Sequence, residues 1–175
     1  MIISKTPYRI SFFGGGTDYP SWYSKFGGEV ISTTIDKYLY LTCRYLPKFF
    51  KHKYRIVYSK IELVDEINQI QHQVVRKMLK KFDSKKGLEI QYLGDLPAFS
   101  GIGSSSSFIV GCMNVLQNYN RKKIAKKQLA YDSFNFEQKV LKEIVGSQDQ
   151  IAVAYGGFNS IKFYKDKSFR VKKIE

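Results

Sequence analysis

The segment Pro97-Ala98-Phe99-Ser100-Gly101-Ile102-Gly103-Ser104-Ser105-Ser106-Ser107 sets two glycines and a run of hydroxyls just ahead of a stretch whose apolar residues recur at helical spacing. Glycines let the backbone bring successive N–H groups onto one anion, and a helix N-terminus adds its dipole. Serine hydroxyls can bind phosphate oxygens or join the shell of a Mg²⁺ ion. The segment therefore reads as an anion cradle, with a flexible Gly/Ser turn and a serine N-cap as the alternative. No lysine follows the second glycine, which excludes the P-loop pattern. The glycines also lack the spacing of a dinucleotide-binding turn.

Three further groups could do chemistry. Glu137 falls on a helical stripe with Ala130, Ser133, Phe134, Leu141 and Ile144, which puts a carboxylate on an apolar face. A buried charge has to be paired or metal-bound, so Glu137 is either half of a structural ion pair or a ligand for a Mg²⁺ that bridges to nucleotide phosphates; a stripe rotated far enough would instead expose it. Asp149, in Gly146-Ser147-Gln148-Asp149-Gln150, lies where one helix ends and another begins. It is an N-cap or a general base, and the second role needs a nearby cation, for which Arg9 in the first strand is the candidate. Gly14-Gly15-Gly16-Thr17-Asp18 is a hairpin turn with an Asx cap, or a flexible loop carrying two groups suited to sugar hydroxyls.

The elements that must position these groups follow from periodicity. Residues 1–13 read as a strand closed by the triple glycine, followed by a loop over Thr17-Asp18-Tyr19-Pro20. Glu29 to Leu46 alternates Tyr38, Tyr40 and Thr42 against Leu39, Leu41 and Cys43, and Tyr54 to Tyr58 repeats the pattern, so an early antiparallel sheet is expected. Spacings of three and four from Leu63 through Ile67, Ile70, Val74 and Met78 predict one amphipathic helix between Ile61 and Phe82, broken near its start. A short strand over Gly87–Leu93 precedes the loop Gly94–Gly103. Helices are expected from Ser104 to Tyr119 and over Lys126–Val145, then a helical turn over Ile151–Ala154 and a last strand over Phe158–Tyr164. Strands first and helices behind them fit α+β rather than a doubly wound sheet.

Composition narrows the chemistry. With two histidines, His52 and His72, zinc hydrolysis and Ser-His-Asp catalysis have few residues to draw on. Cys43 and Cys112 are far apart with no CxxC spacing, which argues against a disulfide framework or zinc site and for a reducing compartment. His72, both cysteines and Trp22 read as core or surface residues. No apolar run approaches the ~18 residues of a membrane span and the N-terminus lacks a signal-peptide pattern, so a cytoplasmic location is expected. The net charge of +14 comes from 29 Lys+Arg against 15 Asp+Glu. Only six of those cations are arginine, the residue suited to bidentate phosphate and base contacts, so the excess reads as a solvated surface bias.

The motifs occur in one order: Arg9-Ile10-Ser11-Phe12-Phe13-Gly14-Gly15-Gly16-Thr17-Asp18, then Ser100-Gly101-Ile102-Gly103-Ser104-Ser105-Ser106, then Gly146-Ser147-Gln148-Asp149-Gln150 with Gly156-Gly157-Phe158-Asn159. In this order the chain resembles the GHMP family of small-molecule kinases, most of all its D-glycero-D-manno-heptose 7-phosphate kinase branch, to which Ile31-Ser32-Thr33-Thr34-Ile35-Asp36-Lys37-Tyr38 is also similar. The resemblance implies an α+β fold like ribosomal protein S5 domain 2, with a mixed or antiparallel sheet and helices on one face. It implies ATP and Mg²⁺, and phosphoryl transfer to a hydroxyl of a sugar phosphate in nucleotide-heptose and cell-surface polysaccharide (lipopolysaccharide) biosynthesis. By motif, the segment Ser100, Gly101, Ile102, Gly103, Ser104, Ser105 and Ser106 would hold the triphosphate. Ser105 and Glu137 would bind the metal, Asp149 would be the catalytic carboxylate oriented by Arg9, and Gly16, Thr17 and Asp18 would meet the sugar.

Members of the family carry a second domain after the strand near residue 160, with a third glycine-rich motif. The expectation is therefore an N-terminal ATP-binding domain over 1–175 without the C-terminal GHMP domain, an apolar exposed face, and self-association or a second chain supplying the other half. The alternatives are a kinase for another sugar, such as a fucose-like hexose, or a non-catalytic domain that binds RNA or a partner chain. The ordered carboxylates Asp18, Glu137 and Asp149 argue against nucleic acid, since each would repel phosphate.

Overall fold

The computed structural model describes residues 1–82, 86–97 and 101–175. Its frame is β2 (Gly28–Tyr45), where Val30, Leu39, Leu41 and Cys43 are fully buried and the alternate residues face the other way. β1 (Ile2–Phe13) runs antiparallel along one edge of β2, from Ile2 opposite Cys43 to Phe13 opposite Ile31. The other edge is shared end to end. β5 (Leu88–Gly94) pairs with Leu39–Tyr45, and β6 (Phe158–Phe163) with Gly28–Thr33. β3 (Tyr54–Val57) and β4 (Ile61–Val64) extend the β5 end, and β7 (Phe169–Lys173) extends the β6 end. All of these pairings are antiparallel except β3 with β5.

Helices cover one face. α3 (Ser104–Tyr119) lies across β1 and β2, burying Ile109, Cys112, Met113 and Leu116 against Leu39, Leu41, Cys43 and Ile90, and α2 (Gln73–Lys81) adds Val75, Met78 and Leu79 to the same core. A second cluster forms where α4 (Lys126–Asn135), α5 (Gln148–Tyr155) and the short α1 (Pro20–Phe26) meet β6 and β7; Tyr23 stacks on Phe163 at 5.2 Å. The opposite sheet face exposes Ile3, Ile61, Leu63 and Leu93. No helix among the described residues is long and apolar enough to cross a membrane.

Two expected helices are corrected. The one between Ile61 and Phe82 divides into β4, a single 3₁₀ turn (Ile67–Gln69) and α2. Its first apolar residues obey period two instead: Ile61 and Leu63 are exposed while Glu62 between them is 8% exposed. Glu62 accepts hydrogen bonds from the Gln71 and His72 N–H groups and from the Tyr58 hydroxyl, satisfying donors that the start of α2 leaves unpaired. The helix expected over Lys126–Val145 is regular only to Asn135. Phe136–Leu141 widens into a π turn, and Lys142 ends it at φ 62°. Ala130, Ser133, Phe134, Glu137 and Leu141 keep the buried stripe; Ile144, beyond the π turn, is 92% exposed. Sequence periodicity also missed α1, β4 and β7, and started α5 three residues late.

Candidate active site

The glycine-rich loop ends at the first turn of α3. Gly103 is the N-cap, at φ 76°, and no side chain caps the helix, so a serine N-cap is not what these residues form. The leading N–H groups of the helix are thereby left for an outside acceptor. Gly101 also has positive φ, 74°, in open space, whereas a Cβ on Gly103 would lie 3.0 Å from the Arg9 side chain. The four serines divide by depth: Ser104 and Ser105 reach the surface, Ser106 is buried, and Ser107 is fully buried with its hydroxyl donating to the Pro7 carbonyl at 2.9 Å. Ser100 lies outside the described residues.

β1 brings Arg9 under this loop through an irregularity in its ladder. Pro7 opposes Tyr38 but Arg9 opposes Thr34, so β2 carries extra residues at Ile35–Lys37. Ser4, Thr6 and Tyr8 face the helices before the bulge; after it, Arg9 and Ser11 do, which is how a bulge re-aims side chains. Arg9 then makes a two-pronged ion pair with Asp149, Nε to Oδ1 at 2.7 Å and Nη2 to Oδ2 at 2.6 Å. Its Nη1 donates to the Gly101 carbonyl at 3.2 Å, and its backbone N–H to the Ile102 carbonyl at 3.1 Å. One guanidinium thus links the loop to the aspartate. Asp149 is in the first turn of α5 with its carboxylate turned to Arg9, not capping the helix end.

What holds the start of α5 is Asp18. Its carboxylate is 1% exposed and accepts from the Gln148 N–H at 3.1 Å, the Gly16 N–H at 3.0 Å and the Gln148 side-chain amide at 3.3 Å. Burial raises its pKa, and the Gln148 and Gly16 N–H groups oppose that shift. Gln148 also accepts from the Ser11 hydroxyl at 2.7 Å, tying α5 to β1. Thr17 faces away from the cleft: its hydroxyl donates to the Gly14 and Glu29 carbonyls and accepts from the Glu29 N–H.

Glu137 emerges from the π turn, 2% exposed, against Gln150 of α5. The Gln150 amide nitrogen donates to Glu137 and, at 3.2 Å, to the Ser106 hydroxyl, while its own oxygen is buried without a partner among the described residues. Glu137 forms no ion pair there; the recorded pairs are Arg9–Asp149, Arg44–Glu89 and Arg55–Glu89. Burial above all, with the nearby charges of Glu143 and Asp149, pushes its carboxyl up to about 7.

A cation is what such a carboxylate lacks. No set of three or more His, Cys, Asp or Glu among the described residues could enclose a metal ion. One carboxylate beside serine hydroxyls and a phosphate-sized cradle does fit Mg²⁺, which keeps waters and phosphate oxygens as most of its ligands.

A stability test follows for the metal-free chain. An acid whose pKa rises on folding contributes fully below its unfolded value, near 4.5, and loses that contribution as pH rises through about 7. Glu137→Gln is expected to flatten this dependence and to raise the melting temperature at pH 8 relative to the parent, by an amount worth at most about 3 kcal/mol. Thermal unfolding at pH 5 and pH 8 reads the difference. Parallel pH profiles would mean that the carboxyl stays ionised in the folded chain.

These groups border one cleft of about 580 Å³, lined by Arg9, Gly16, Asp18, Gly101, Gly103, Ser104, Ser105, Ser106, Glu137 and Asp149. Ile102 and Thr17 do not line it. Gln148 and Gln150, which the sequence offered only as neighbours of Asp149, do. A second cavity of about 380 Å³ shares Ser104 and Ser105 with the first and is walled by Tyr58, His72, Tyr92 and Phe108. His72 stacks on Phe108 at 4.9 Å, with Tyr58 and Tyr92 edge-on to this pair. Nothing in the spacing of these four residues announced it, because aromatic residues are 15% of the chain and most serve the core.

A one-face α+β sandwich whose central helix opens on a glycine-serine cradle, facing an arginine-clamped aspartate, defines a class. The GHMP kinases N terminal domain model matches residues 68–157, and the chain belongs to that family. It is 26% identical over 185 residues to D-glycero-alpha-D-manno-heptose 7-phosphate kinase of Campylobacter jejuni, covering 95% of this chain and 52% of that protein. It is 25% identical over 179 residues to galactokinase of Pyrococcus furiosus, covering 99% of this chain and 49% of that one. The crystal structure of a D-glycero-D-manno-heptose 1-phosphate kinase from Bacteriodes thetaiotaomicron superposes with a TM-score of 0.87 at 22% identity, over 100% of this chain and 60% of that one, a likeness of fold. The chain spans about half the length of the curated relatives it matches.

Proposed function

We propose that the chain supplies the nucleotide site and catalytic carboxylate of an ATP-dependent sugar kinase, whose first candidate acceptor is D-glycero-D-manno-heptose 7-phosphate. The observation that carries this reading is the Arg9 fork, which holds Asp149 and the Gly101 carbonyl together at the mouth of the cradle. The triphosphate of ATP lies on the N–H groups from Gly101 to Ser106, and the helix dipole of α3 offsets its charge. The purine enters the aromatic cavity that adjoins the cradle through Ser104 and Ser105. Ser105 and Glu137 would hold Mg²⁺, which would supply charge neutralisation for phosphoryl transfer.

The acceptor hydroxyl attacks the terminal phosphorus, the bond to the bridging oxygen breaks and ADP leaves. The hydroxyl proton passes to Asp149, whose orientation Arg9 fixes. Asp18 acts on the sugar side of the cleft chiefly by holding the start of α5, and Gly16 forms the adjoining wall. A phosphorylated heptose would feed the supply of nucleotide-activated heptose for cell-surface polysaccharide.

A second acceptor class, a hexose, is favoured by the similarity to galactokinase. Coupled ADP release with Mg²⁺-ATP and a panel of heptose 7-phosphate, heptose 1-phosphate, galactose and fucose separates the two. Turnover is expected with heptose 7-phosphate at a kcat/KM well above that for the hexoses. Preference for galactose or fucose would replace the acceptor, and salt-sensitive RNA binding without ATP affinity would replace the whole reading.

A further inference from the structure

Gln150 stands one residue beyond Asp149 in the first turn of α5, about 100° further round the helix. Asp149 turns to Arg9, whereas Gln150 lies against α3 and the π turn and is 1% exposed. The residues that follow it, Ile151, Ala152 and Val153, are buried and apolar, and an apolar side chain of similar volume would serve packing there equally well. A buried amide costs free energy unless its groups find partners, so the partners decide what Gln150 is for.

Its nitrogen carries two hydrogens and both are engaged, one by the Glu137 carboxylate and one by the Ser106 hydroxyl oxygen at 3.2 Å. An amide nitrogen only donates, so Ser106 accepts, and its own hydroxyl hydrogen is left for another acceptor. Ser106 is in the first turn of α3 and borders the cleft. One side chain thus joins the cradle helix, the π turn that carries Glu137 and the helix that carries Asp149. The amide oxygen is in the opposite condition: it is buried and has no hydrogen-bond partner among the described residues. The partner it lacks must be a donor, and must arrive beside Glu137.

A water carried on a divalent cation meets both requirements. Its lone pair is taken by the ion, which leaves it a donor, and Mg²⁺ keeps several such waters. We propose that Gln150 is a positioning residue for the metal and phosphate sites. Its nitrogen fixes Glu137 and leaves the Ser106 hydroxyl hydrogen for a phosphate oxygen, and its oxygen accepts from a water of the cation held at Glu137. The inference rests on the kinase reading, which supplies both the cation and the phosphate.

The test compares the chain with Gln150→Met, which keeps the length of the side chain and removes both hydrogen-bonding ends. Binding of a non-hydrolysable ATP analogue is measured by calorimetry with Mg²⁺ and in EDTA. The tightening produced by Mg²⁺ is expected to be smaller in Gln150→Met by about tenfold or more, the range that groups orienting a metal ligand command. A merely structural Gln150 would weaken binding alike with and without the metal. A second readout needs no variant: in the ¹⁵N-labelled parent saturated with the analogue, the Gln150 side-chain amide resonances are expected to shift when Mg²⁺ replaces EDTA. An equal effect of Mg²⁺ in both chains, or unmoved Gln150 resonances, would overturn the inference and leave the nucleotide site standing. An analogue that leaves the Gly103 and Ser104 amides unmoved would remove the kinase reading and this assignment with it.

Discussion

Asp149→Asn is expected to lower kcat for phosphoryl transfer by about 10² to 10⁴-fold, the range a positioned proton acceptor contributes, while nucleotide affinity changes only a few-fold. The substitution is nearly isosteric and keeps one accepting oxygen for Arg9, losing one prong of the fork, while Arg9 Nη1 still reaches the Gly101 carbonyl that anchors the loop. What is lost is the carboxylate that takes the acceptor proton. A purely structural Asp149 predicts another pattern, in which the melting temperature and ATP affinity fall together and kcat at saturating ATP survives. Measuring kcat, KM for ATP and thermal unfolding on one preparation separates the two.

The second large effect belongs to a residue without a side chain. A Cβ added to Gly146 would sit 1.8 Å from Asp18 Oδ2 and 2.6 Å from its Cγ, closer than atoms can approach. Asp18 cannot yield freely, because it is 1% exposed and its carboxylate holds the Gln148 and Gly16 N–H groups while its carbonyl accepts from Ser147 at 3.1 Å. Gly146→Ala is therefore expected to cost about 3 kcal/mol from overpacking and a displaced buried carboxylate. In a chain of this size that lowers the melting temperature by roughly 6–12 °C. Because Asp18 fastens the first turn of α5, turnover is expected to fall as well. Gly15→Ala is the control, since the nearest atom to its Cβ would be 3.7 Å away, an ordinary contact. Equal destabilisation by both alanines would contradict the account.

Much of this arrangement could be read from the residues because local chemistry and burial agree there. The alternation of Leu39, Leu41 and Cys43 against Tyr38, Tyr40 and Thr42 announced β2, since one face packs on α3 and the other does not. Glycines next to serines announced the mouth of α3. Arg9 stood out as the cation that Asp149 needs, but spacing alone could not show that the two meet, because their contact depends on a bulge at Ile35–Lys37 that no local propensity encodes. Glu62 shows why β4 was mistaken for helix. A buried carboxylate that accepts the Gln71 and His72 N–H groups just ahead of α2 looks like a polar residue on a solvent face, and Leu63 then falls by chance on a helical period. The stripe through Ala130 and Glu137 failed only at Ile144, after the π turn had changed the residues per turn. The aromatic cavity was hidden for a different reason. Tyr58, His72, Tyr92 and Phe108 come from four separate segments, and only the fold gathers them beside Ser104.

We propose that the α3 cradle and the Arg9–Asp149 pair form one nucleotide-activating cleft. The most direct test is a crystal structure of the chain grown with Mg²⁺ and a non-hydrolysable ATP analogue. Expected are the triphosphate on the N–H groups of Gly101 to Ser106, the purine in the cavity walled by Tyr58, His72, Tyr92 and Phe108, and the terminal phosphate facing Asp149. A nucleotide bound elsewhere, or a triphosphate in the cradle with its terminal group turned away from Asp149, would contradict the proposal.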